Sequence, residues 1–346
     1  MKLDQLLQRI TVIFLTLLLM GGTNALFAQE RAGASSSPQL TIPLGAQYLN
    51  GSGAAAGVSG VESMLWNPAG LDRGEGDVEV MASRREHLAD IGVSYLGIAL
   101  RFENVGTFGL NVRNFDIGEI KETNEFNPGG TGGTFEPTFV TIGASYGLSI
   151  TDKIGVGVTT NVTRESIANM QGTNITLDAG VQYRNFLTFE GLNIGASVRN
   201  IGTSMEYGGS GLLNSADAEG SNRPPSEFQV VTADADIPTS VDLSVEYNAW
   251  RGLYLQGTFS ENTYKPSEVQ GQVAYNFRDI VTVRASYAQI TEDRPGDLEG
   301  AFESRPKFGA TLNLEKAIGL DVSFDYGFVS TQYFSNNHIL SLRGSF

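Results

Sequence analysis

The chain has 346 residues, a formal net charge of −15 and a mean hydropathy of −0.10. It contains no cysteine and two histidines, which excludes a disulfide framework, thiolate chemistry and most histidine-based metal or acid–base sites. The excess of negative charge argues against nucleic acid as a ligand. We therefore expect neither a cofactor nor a metal ion nor a nucleic-acid partner.

The N-terminus has the layout of an export signal. Residues 10–20 form one apolar run, preceded by Lys2 and Arg9 and followed by small residues up to Ala28. A helix that crosses a bilayer needs about 20 apolar residues, so this run is too short to span and matches a secretory signal peptide instead. We predict a signal peptide over residues 1–29.

From Val78 to Phe346 the chain alternates apolar and polar residues in the manner of β-strands. Residues 318–328 show this best, because every even position is apolar and every odd position is glycine, serine or aspartate. A transmembrane barrel requires such alternation, since one face of each strand meets lipid and the other meets the lumen. The pattern predicts an all-β, 14-stranded antiparallel transmembrane β-barrel over residues 78–346.

The predicted strands are Val78–Arg84, Ile91–Phe102, Val105–Ile117, Pro137–Ile150, Lys153–Ile167, Ile175–Phe186, Glu190–Gly202, Ile237–Asn248, Gly252–Asn262, Val269–Phe277, Ile280–Glu292, Arg305–Leu314, Ala317–Phe328 and His338–Phe346. Their connections are expected to switch between short turns, such as residues 187–189, and long loops, such as residues 168–174. We expect the short turns in the periplasm and the long loops outside the cell. The terminal aromatic residue, Phe346, resembles the assembly signal of outer-membrane proteins.

Charged residues fall on the face of the strands that should line the lumen. Their signs are mixed, which predicts ion pairs across the interior, because an unpaired buried charge is costly. In the strand 91–102, Leu96, Ile98 and Leu100 make the second face apolar, so this strand is expected to pack against something inside the barrel. The predicted lumen charges are Arg113, Asp178, Arg184, Arg199, Asp242, Glu246, Arg284, Lys307, Asp321 and Asp325.

The long loops are acidic. Residues 118–136, 203–236 and 292–305 hold most of the excess negative charge. Such loops could bind divalent cations together with surface lipopolysaccharide, or guide a basic partner. Their charge could also serve only to keep long loops solvated.

Residues 30–77 lack the strand alternation and are predicted to form an N-terminal hatch inside the barrel. This segment is rich in small residues, and Asn67-Pro68 favours a turn. Its characteristic motif is Leu65, Trp66, Asn67, Pro68, Ala69 and Gly70, followed by Leu71.

That motif, together with Ala89-Asp90-Ile91 and residues 198–202, resembles the PorV/PorQ-like proteins of Bacteroidota-type bacteria, which belong to the wider FadL-like barrel superfamily. The likeness covers most of the chain after residue 29. It implies a 14-stranded barrel with an N-terminal hatch in the outer membrane. It also implies a role beside the type IX secretion system, whose PorV component receives cargo with a C-terminal signal domain and delivers it to surface attachment machinery.

Two functions follow as alternatives. The first is a non-enzymatic barrel in contact with outer-membrane lipid, whose long loops dock or shuttle secreted proteins with C-terminal sorting domains, alongside other secretion components. The second is a FadL-like transporter of hydrophobic small molecules, with the hatch as a movable element and Leu96–Leu100 as part of the route. An enzyme would need a nucleophile beside a base, and only His87 with Ser83 or Ser94 offers such a pair. His87 falls in a predicted exposed turn, so we expect no catalysis.

Overall fold

A computed structural model describes residues 35–49, 51–87, 91–187, 189–216, 226–291, 306–331 and 335–346. The signal peptide predicted over residues 1–29 and the acidic loop 292–305 lie outside these ranges. Among the described residues no helix is long and apolar enough to cross a membrane.

Fourteen long antiparallel strands form a closed barrel, as the sequence predicts. Each strand pairs with its neighbours in the chain, and the first strand pairs with the last from Glu79–Ser345 to Arg85–Ile339, which closes the sheet. The strands are β1 Val78–Glu86, β2 Gly92–Phe102, β3 Gly106–Asp116, β4 Thr138–Ser149, β5 Ile154–Ile167, β6 Met170–Tyr183, β7 Leu192–Gly202, β8 Ser240–Trp250, β9 Leu253–Asn262, β10 Glu268–Phe277, β11 Val281–Ile290, β12 Lys307–Asn313, β13 Asp321–Val329 and β14 Asn337–Ser345.

The strands expose apolar residues outward and bury polar ones inward. On β13, Phe324 is 42% exposed, whereas the next residue, Asp325, is fully buried. The same alternation separates Val158 from Thr159 on β5. An exposed apolar outer surface around a polar interior is the arrangement that a lipid-facing barrel needs.

The connection before β13 differs from the prediction. Residues 317–320 were expected to begin the strand, but Glu315–Ile318 form a helical turn instead. Gly319 ends this turn in the left-handed region at φ 71°, a conformation that glycine adopts without strain. The strand begins at Asp321.

The strict alternation of short and long connections is wrong at two places. β5 and β6 are joined directly through Ala168-Asn169, with Ala168 at φ 50°, so the predicted long loop 168–174 is a tight hairpin. Conversely, the predicted short turn 187–189 belongs to a longer connection between Tyr183 and Leu192. Alternation within a strand does not reveal where a polar strand end stops and a loop begins.

Two long loops carry small hairpins of their own. Ile120–Lys121 pair with Thr134–Phe135 between β3 and β4. Between β7 and β8, Leu213–Ala216 pair with Ser226–Gln229, and Tyr207–Gly208 pair with the start of β6. The barrel therefore has a long-loop end and a short-turn end.

The predicted orientation of β2 is wrong, because the face expected inside the barrel lies on its outer surface. Leu96, Ile98 and Leu100 are exposed on the outer surface. The inner face carries Val93, Tyr95 and Ala99, which are buried against the N-terminal segment of the chain. Both faces of this strand are apolar, so the alternation of residues along it could not show which face meets lipid.

The hatch, residues 35–77, lies inside the barrel and runs along its length. It starts at the long-loop end, where the Ser36 amide donates to the Asp236 carbonyl at 2.9 Å. It ends at the short-turn end, where Val78 exchanges backbone hydrogen bonds with Phe346. Between these points it forms the short helical segments Pro38–Thr41, Ala54–Gly57, Gly60–Glu62, Ser63–Trp66 and Pro68–Arg73.

The main apolar core lies between the hatch and the wall. Met64, Leu65 and Leu71 of the hatch pack in one cluster with Met81 of β1 and Tyr95 of β2. Because a polar lumen offers few apolar partners, the hatch supplies its own apolar side chains and concentrates them against β1 and β2.

Candidate functional site

A cavity of about 460 Å³ lies between the hatch and the long-loop end of the barrel. Ile42 and Trp66 of the hatch and Phe115 of β3 give it apolar lining. Charged side chains also line it, namely Arg85, Arg199, Asp242, Lys265, Glu268 and Lys307. Ligand sites in proteins typically measure about 300–1,000 Å³ and combine apolar walls with a few polar groups. This cavity therefore has the size and lining of a small-molecule site.

One arginine links the cavity wall to the hatch. The Arg199 guanidinium binds Asp242 Oδ2 through Nη2 at 2.8 Å and through Nε at 2.9 Å. It also donates from Nη1 to the Leu65 carbonyl at 3.4 Å and lies 5.3 Å from the ring centroid of Trp66. A cation over an indole face is attractive, so Arg199 holds Trp66 at the bottom of the cavity.

A β-bulge follows Arg199 and turns the next residue, Asn200, inward as well. The pairing of β6 with β7 shifts by one residue between Leu177 and Ala179. At this point Asn200 has φ 59°, and its backbone amide donates to Asp178 Oδ1 at 2.6 Å. Bulges redirect side chains in this way and are common beside functional sites.

The predicted hatch motif is entirely buried, and Asn67 is its structural centre. Asn67 Nδ2 donates to the Ala55 carbonyl at 2.7 Å and, at longer range, to the carbonyls of Val181 on β6 and Ala196 on β7. Asn67 Oδ1 accepts from the Ala69 amide at 3.0 Å, which caps the turn that Pro68 begins. The buried motif residues are Leu65, Trp66, Asn67, Pro68, Ala69 and Gly70.

A row of inward-facing glycines accommodates this motif. Gly147 of β4 pairs with Gly157 of β5, which pairs with Gly180 of β6. A methyl group at Gly157 would overlap the Pro68 carbonyl, and one at Gly180 would overlap the Asn67 side chain. We call these three residues the glycine row; they let the hatch backbone touch the wall.

The N-terminal segment of the hatch, residues 35–51, is held by its backbone carbonyls. Wall side chains from five strands donate to these carbonyls. The contacts are Arg113 Nη1 to Leu40 O at 3.3 Å, Arg85 Nη1 to Pro43 O at 2.7 Å, Arg284 Nη1 to Ala46 O at 3.2 Å, Gln272 Nε2 to Gln47 O at 3.0 Å and Thr258 Oγ1 to Gly51 O at 3.0 Å.

Glu165 of β5 fastens the start of this segment. Its carboxylate accepts from Ser37 Oγ at 2.5 Å and from Gln39 Nε2 at 2.7 Å, and it also accepts from the Tyr207 hydroxyl in the β7–β8 loop. Glu165 is buried. Glu165 is not among the predicted lumen charges. Its neighbour Arg164 faces outward, so the alternation of residues along β5 could have assigned Glu165 to the lumen.

A second carboxylate cluster fastens the middle of the hatch. Arg343 of β14 binds Asp325 of β13 at 2.9 Å through Nε, and the same nitrogen lies 3.9 Å from Oε2 of the buried Glu62. Thr311 also donates to Asp325. Parity could have placed Arg343 inward, but nothing in the sequence pairs it with Glu62, which lies far away in an irregular segment.

The predicted lumen charges lie at inward positions or at the short-turn end, and most are buried. Arg199–Asp242 and Arg343–Asp325 form ion pairs, whereas Glu246 accepts from the amides of Asn193 and Gln256 at 3.0 and 2.7 Å. The buried ones are Asp178, Asp242, Glu246, Arg284, Lys307 and Asp325. The half-buried ones are Arg113 and Arg199, and towards the short-turn end Arg184 and Asp321.

The structure does not bring together the residues of the enzymatic alternative. His87 Nδ1 lies 3.4 Å from Asn337 Nδ2, whereas Ser83 Oγ contacts Ser341 Oγ and Ser94 accepts from Arg84. His87 lines the cavity, and burial, followed by Arg85 and Lys265, lowers its pKa to about 4. In the described ranges no group of three histidine, aspartate or glutamate residues is placed to hold a metal ion.

Comparisons with known proteins identify the fold. No family model and no curated protein matches the chain. The similar solved structures include a TodX deltaS2S3 mutant monoaromatic hydrocarbon channel, with 13% identity over 88% of this chain and 99% of that one at a TM-score of 0.57. The Pseudomonas putida toluene transporter TodX gives 13% identity over 87% and 98% at 0.55, and a Pseudomonas aeruginosa FadL homologue gives 11% over 87% and 98% at 0.55. The chain therefore has the fold of FadL-type barrels, and the finer PorV/PorQ resemblance is not confirmed.

Proposed function

We propose that this protein is an outer-membrane channel that admits small, largely apolar molecules through the cavity above the hatch. The observation that carries the proposal is the 460 Å³ cavity itself, which lies at the long-loop end and has the hatch residue Trp66 in its lining. The structural neighbours named for hydrocarbon or toluene transport support this class of solute by likeness of fold.

The lining fits an amphipathic molecule better than a bare hydrocarbon. Ile42, Trp66 and Phe115 offer an apolar surface, and the Arg199–Asp242 pair offers donors and acceptors at one side. A solute with one polar group could replace water at that pair while its apolar part contacts the indole ring. A few placed polar groups orient a ligand in this way.

Passage requires the hatch to move, and its two parts differ in how readily they can. The N-terminal segment is held by hydrogen bonds, for which water can substitute, and by buried apolar side chains such as Leu44 and Tyr48. Residues 54–73 share the same apolar cluster and are in addition packed closely against the glycine row. We therefore expect the N-terminal segment to move first.

Tryptophan fluorescence tests binding directly, because the chain has only two tryptophans. In a Trp250→Phe variant in detergent, Trp66 becomes the sole emitter. Titration with the apolar fluorophore N-phenyl-1-naphthylamine should give saturable energy transfer from Trp66. An Arg199→Ala change should weaken this binding, whereas Arg251→Ala, which removes an exposed turn arginine, should leave it unchanged.

Absence of saturable transfer in the Trp250→Phe protein, together with equal uptake of the probe by vesicles with and without the protein, would contradict the proposal.

A second candidate is docking of secreted proteins at the long loops, as the PorV/PorQ resemblance implies. One observation favours it: the β7–β8 loop exposes Leu213, Phe228 and Val231, the last being 81% exposed. Exposed apolar side chains at the tip of a loop are typical of interaction sites. Deletion of residues 213–229 should abolish co-purification of exported proteins with C-terminal sorting domains, and it should leave probe binding at Trp66 intact.

A further inference from the structure

Arg73 closes the hatch at the short-turn end without a hydrogen-bond partner. Its three guanidinium nitrogens are shielded from solvent, and none of them bonds to any group in the described part of the chain. The side chain lies over Gly155 of β5, where a methyl group would come within 2.8 Å of Arg73 Nε. A shielded cation without a partner is costly, so this residue requires an explanation.

A second arginine faces the same space. Gly155 pairs with Gln182 of β6, and Arg184 is the next inward position along that chain. The Arg184 amide donates to the Lys153 carbonyl at 2.8 Å, which places Arg184 beside the start of β5. Burial first, and then the charge of Arg184, lower the pKa of Arg73 to about 10.

The nearest carboxylates are already engaged elsewhere. Asp72 accepts from Thr107 Oγ1 at 2.7 Å and from the Ser149 amide at 2.8 Å. Glu246, the carboxylate that acts on Arg184, accepts from two wall amides. Neither carboxylate forms an ion pair with Arg73 or Arg184 in the described residues, so no ion pair there offsets the charge of either arginine.

We propose that Arg73 and Arg184 form an oxyanion site, for a phosphate or carboxylate group, that bridges the hatch to the wall at the short-turn end. Guanidinium groups bind such anions through paired hydrogen bonds in a planar geometry. Arg184 is half-buried, so part of its side chain remains accessible from solvent. Because one arginine belongs to the hatch and the other to the wall, the bound anion locks the hatch shut. The site is independent of the cavity and goes beyond the proposed transport function.

Amide hydrogen exchange of residues 60–73 in the full protein measures how strongly a bound anion holds the hatch closed. In lipid-free detergent at constant ionic strength, inorganic phosphate at ten times its Kd should slow exchange about tenfold relative to chloride. Arg73→Gln and Arg184→Gln should each remove the effect, and Arg251→Gln, an exposed turn arginine on the Trp250 ring, should retain it. A parallel series in nanodiscs with anionic or with zwitterionic phospholipid identifies a lipid headgroup as the source if only the anionic lipid slows exchange.

The Arg73→Met variant provides a second readout with opposite signs. Without a bound anion, the hatch of Arg73→Met should exchange more slowly than that of the wild type, because the variant lacks the shielded unpaired charge. With phosphate bound, the hatch of the wild type should exchange more slowly than that of Arg73→Met. Heat-dependent mobility in gels establishes that each variant has formed its barrel. The proposal is wrong if neither phosphate nor anionic lipid changes exchange in the wild-type protein, or if Arg73→Gln responds to them equally.

Discussion

Replacing Asn67 by alanine should loosen the hatch while leaving the barrel folded. The change removes the bond to the Ala55 carbonyl at 2.7 Å and the bond from the Ala69 amide at 3.0 Å, and both groups stay buried. Leaving a buried polar group unsatisfied costs about 1–3 kcal/mol, and losing a cap costs about 1 kcal/mol. We expect the free energy of local hatch opening to fall by about 3 kcal/mol, which is roughly a hundredfold in the opening equilibrium.

Hydrogen exchange of the amides in residues 54–73 reads out this opening while the barrel stays folded. Protection should fall roughly a hundredfold in Asn67→Ala, and it should not change in Asn127→Ala, which alters an exposed asparagine of the β3–β4 loop. Equal protection in the wild type and Asn67→Ala would show that the hatch does not depend on this side chain. A uniform loss across barrel strands would show that the hatch does not open separately.

Three further changes test other contacts. Gly157→Ala should displace the hatch, because its methyl group overlaps the Pro68 carbonyl, whereas Gly271→Ala on the open outer face should be tolerated in the same exchange assay. Glu165→Gln should speed exchange of the N-terminal segment about tenfold, since bonds to a charged acceptor each contribute about 1.5–3 kcal/mol. Burial lowers the pKa of His87 to about 4, whereas an unfolded histidine titrates at about 6.5. The stability that the neutral side chain contributes is therefore complete above about pH 6.5 and is lost as the pH falls towards 4, because the unfolded chain binds the proton first. His87→Gln should remove that part of the pH dependence of Tm.

The barrel could be predicted because lipid imposes a two-residue alternation on every strand. Sequence alone therefore gives the strand count and, for β13, the inward position of Asp325 and the outward position of Phe324. The rule fails where neither face is polar, as at Leu96 on β2, and where a turn replaces the strand start, as at Ile318.

The site was harder to predict because its contacts join residues that are distant in the chain. Parity could have placed Glu165 and Arg343 in the lumen, but it could not pair Arg343 with Glu62, because the hatch has no regular repeat. Glycines at inward parity positions, such as Gly157, are the signal that a backbone approaches the wall closely. Alternation places Arg199 in the lumen, but it could not predict the contact with Trp66, because Trp66 lies in the hatch.

The central claim is that solutes pass only when the hatch moves, and a cleavable cross-link tests it most directly. The chain has no cysteine, so Ser37→Cys with Asn174→Cys introduces the only two thiols, at positions where the Asn174 Nδ2 and Ser37 Oγ atoms are 3.2 Å apart. A short bis-methanethiosulfonate reagent should join the N-terminal segment of the hatch to β6. We predict that uptake of the apolar fluorophore into vesicles stops on cross-linking and returns after reduction, while the two single-cysteine variants are unaffected. Unchanged uptake by the fully cross-linked protein would contradict the account.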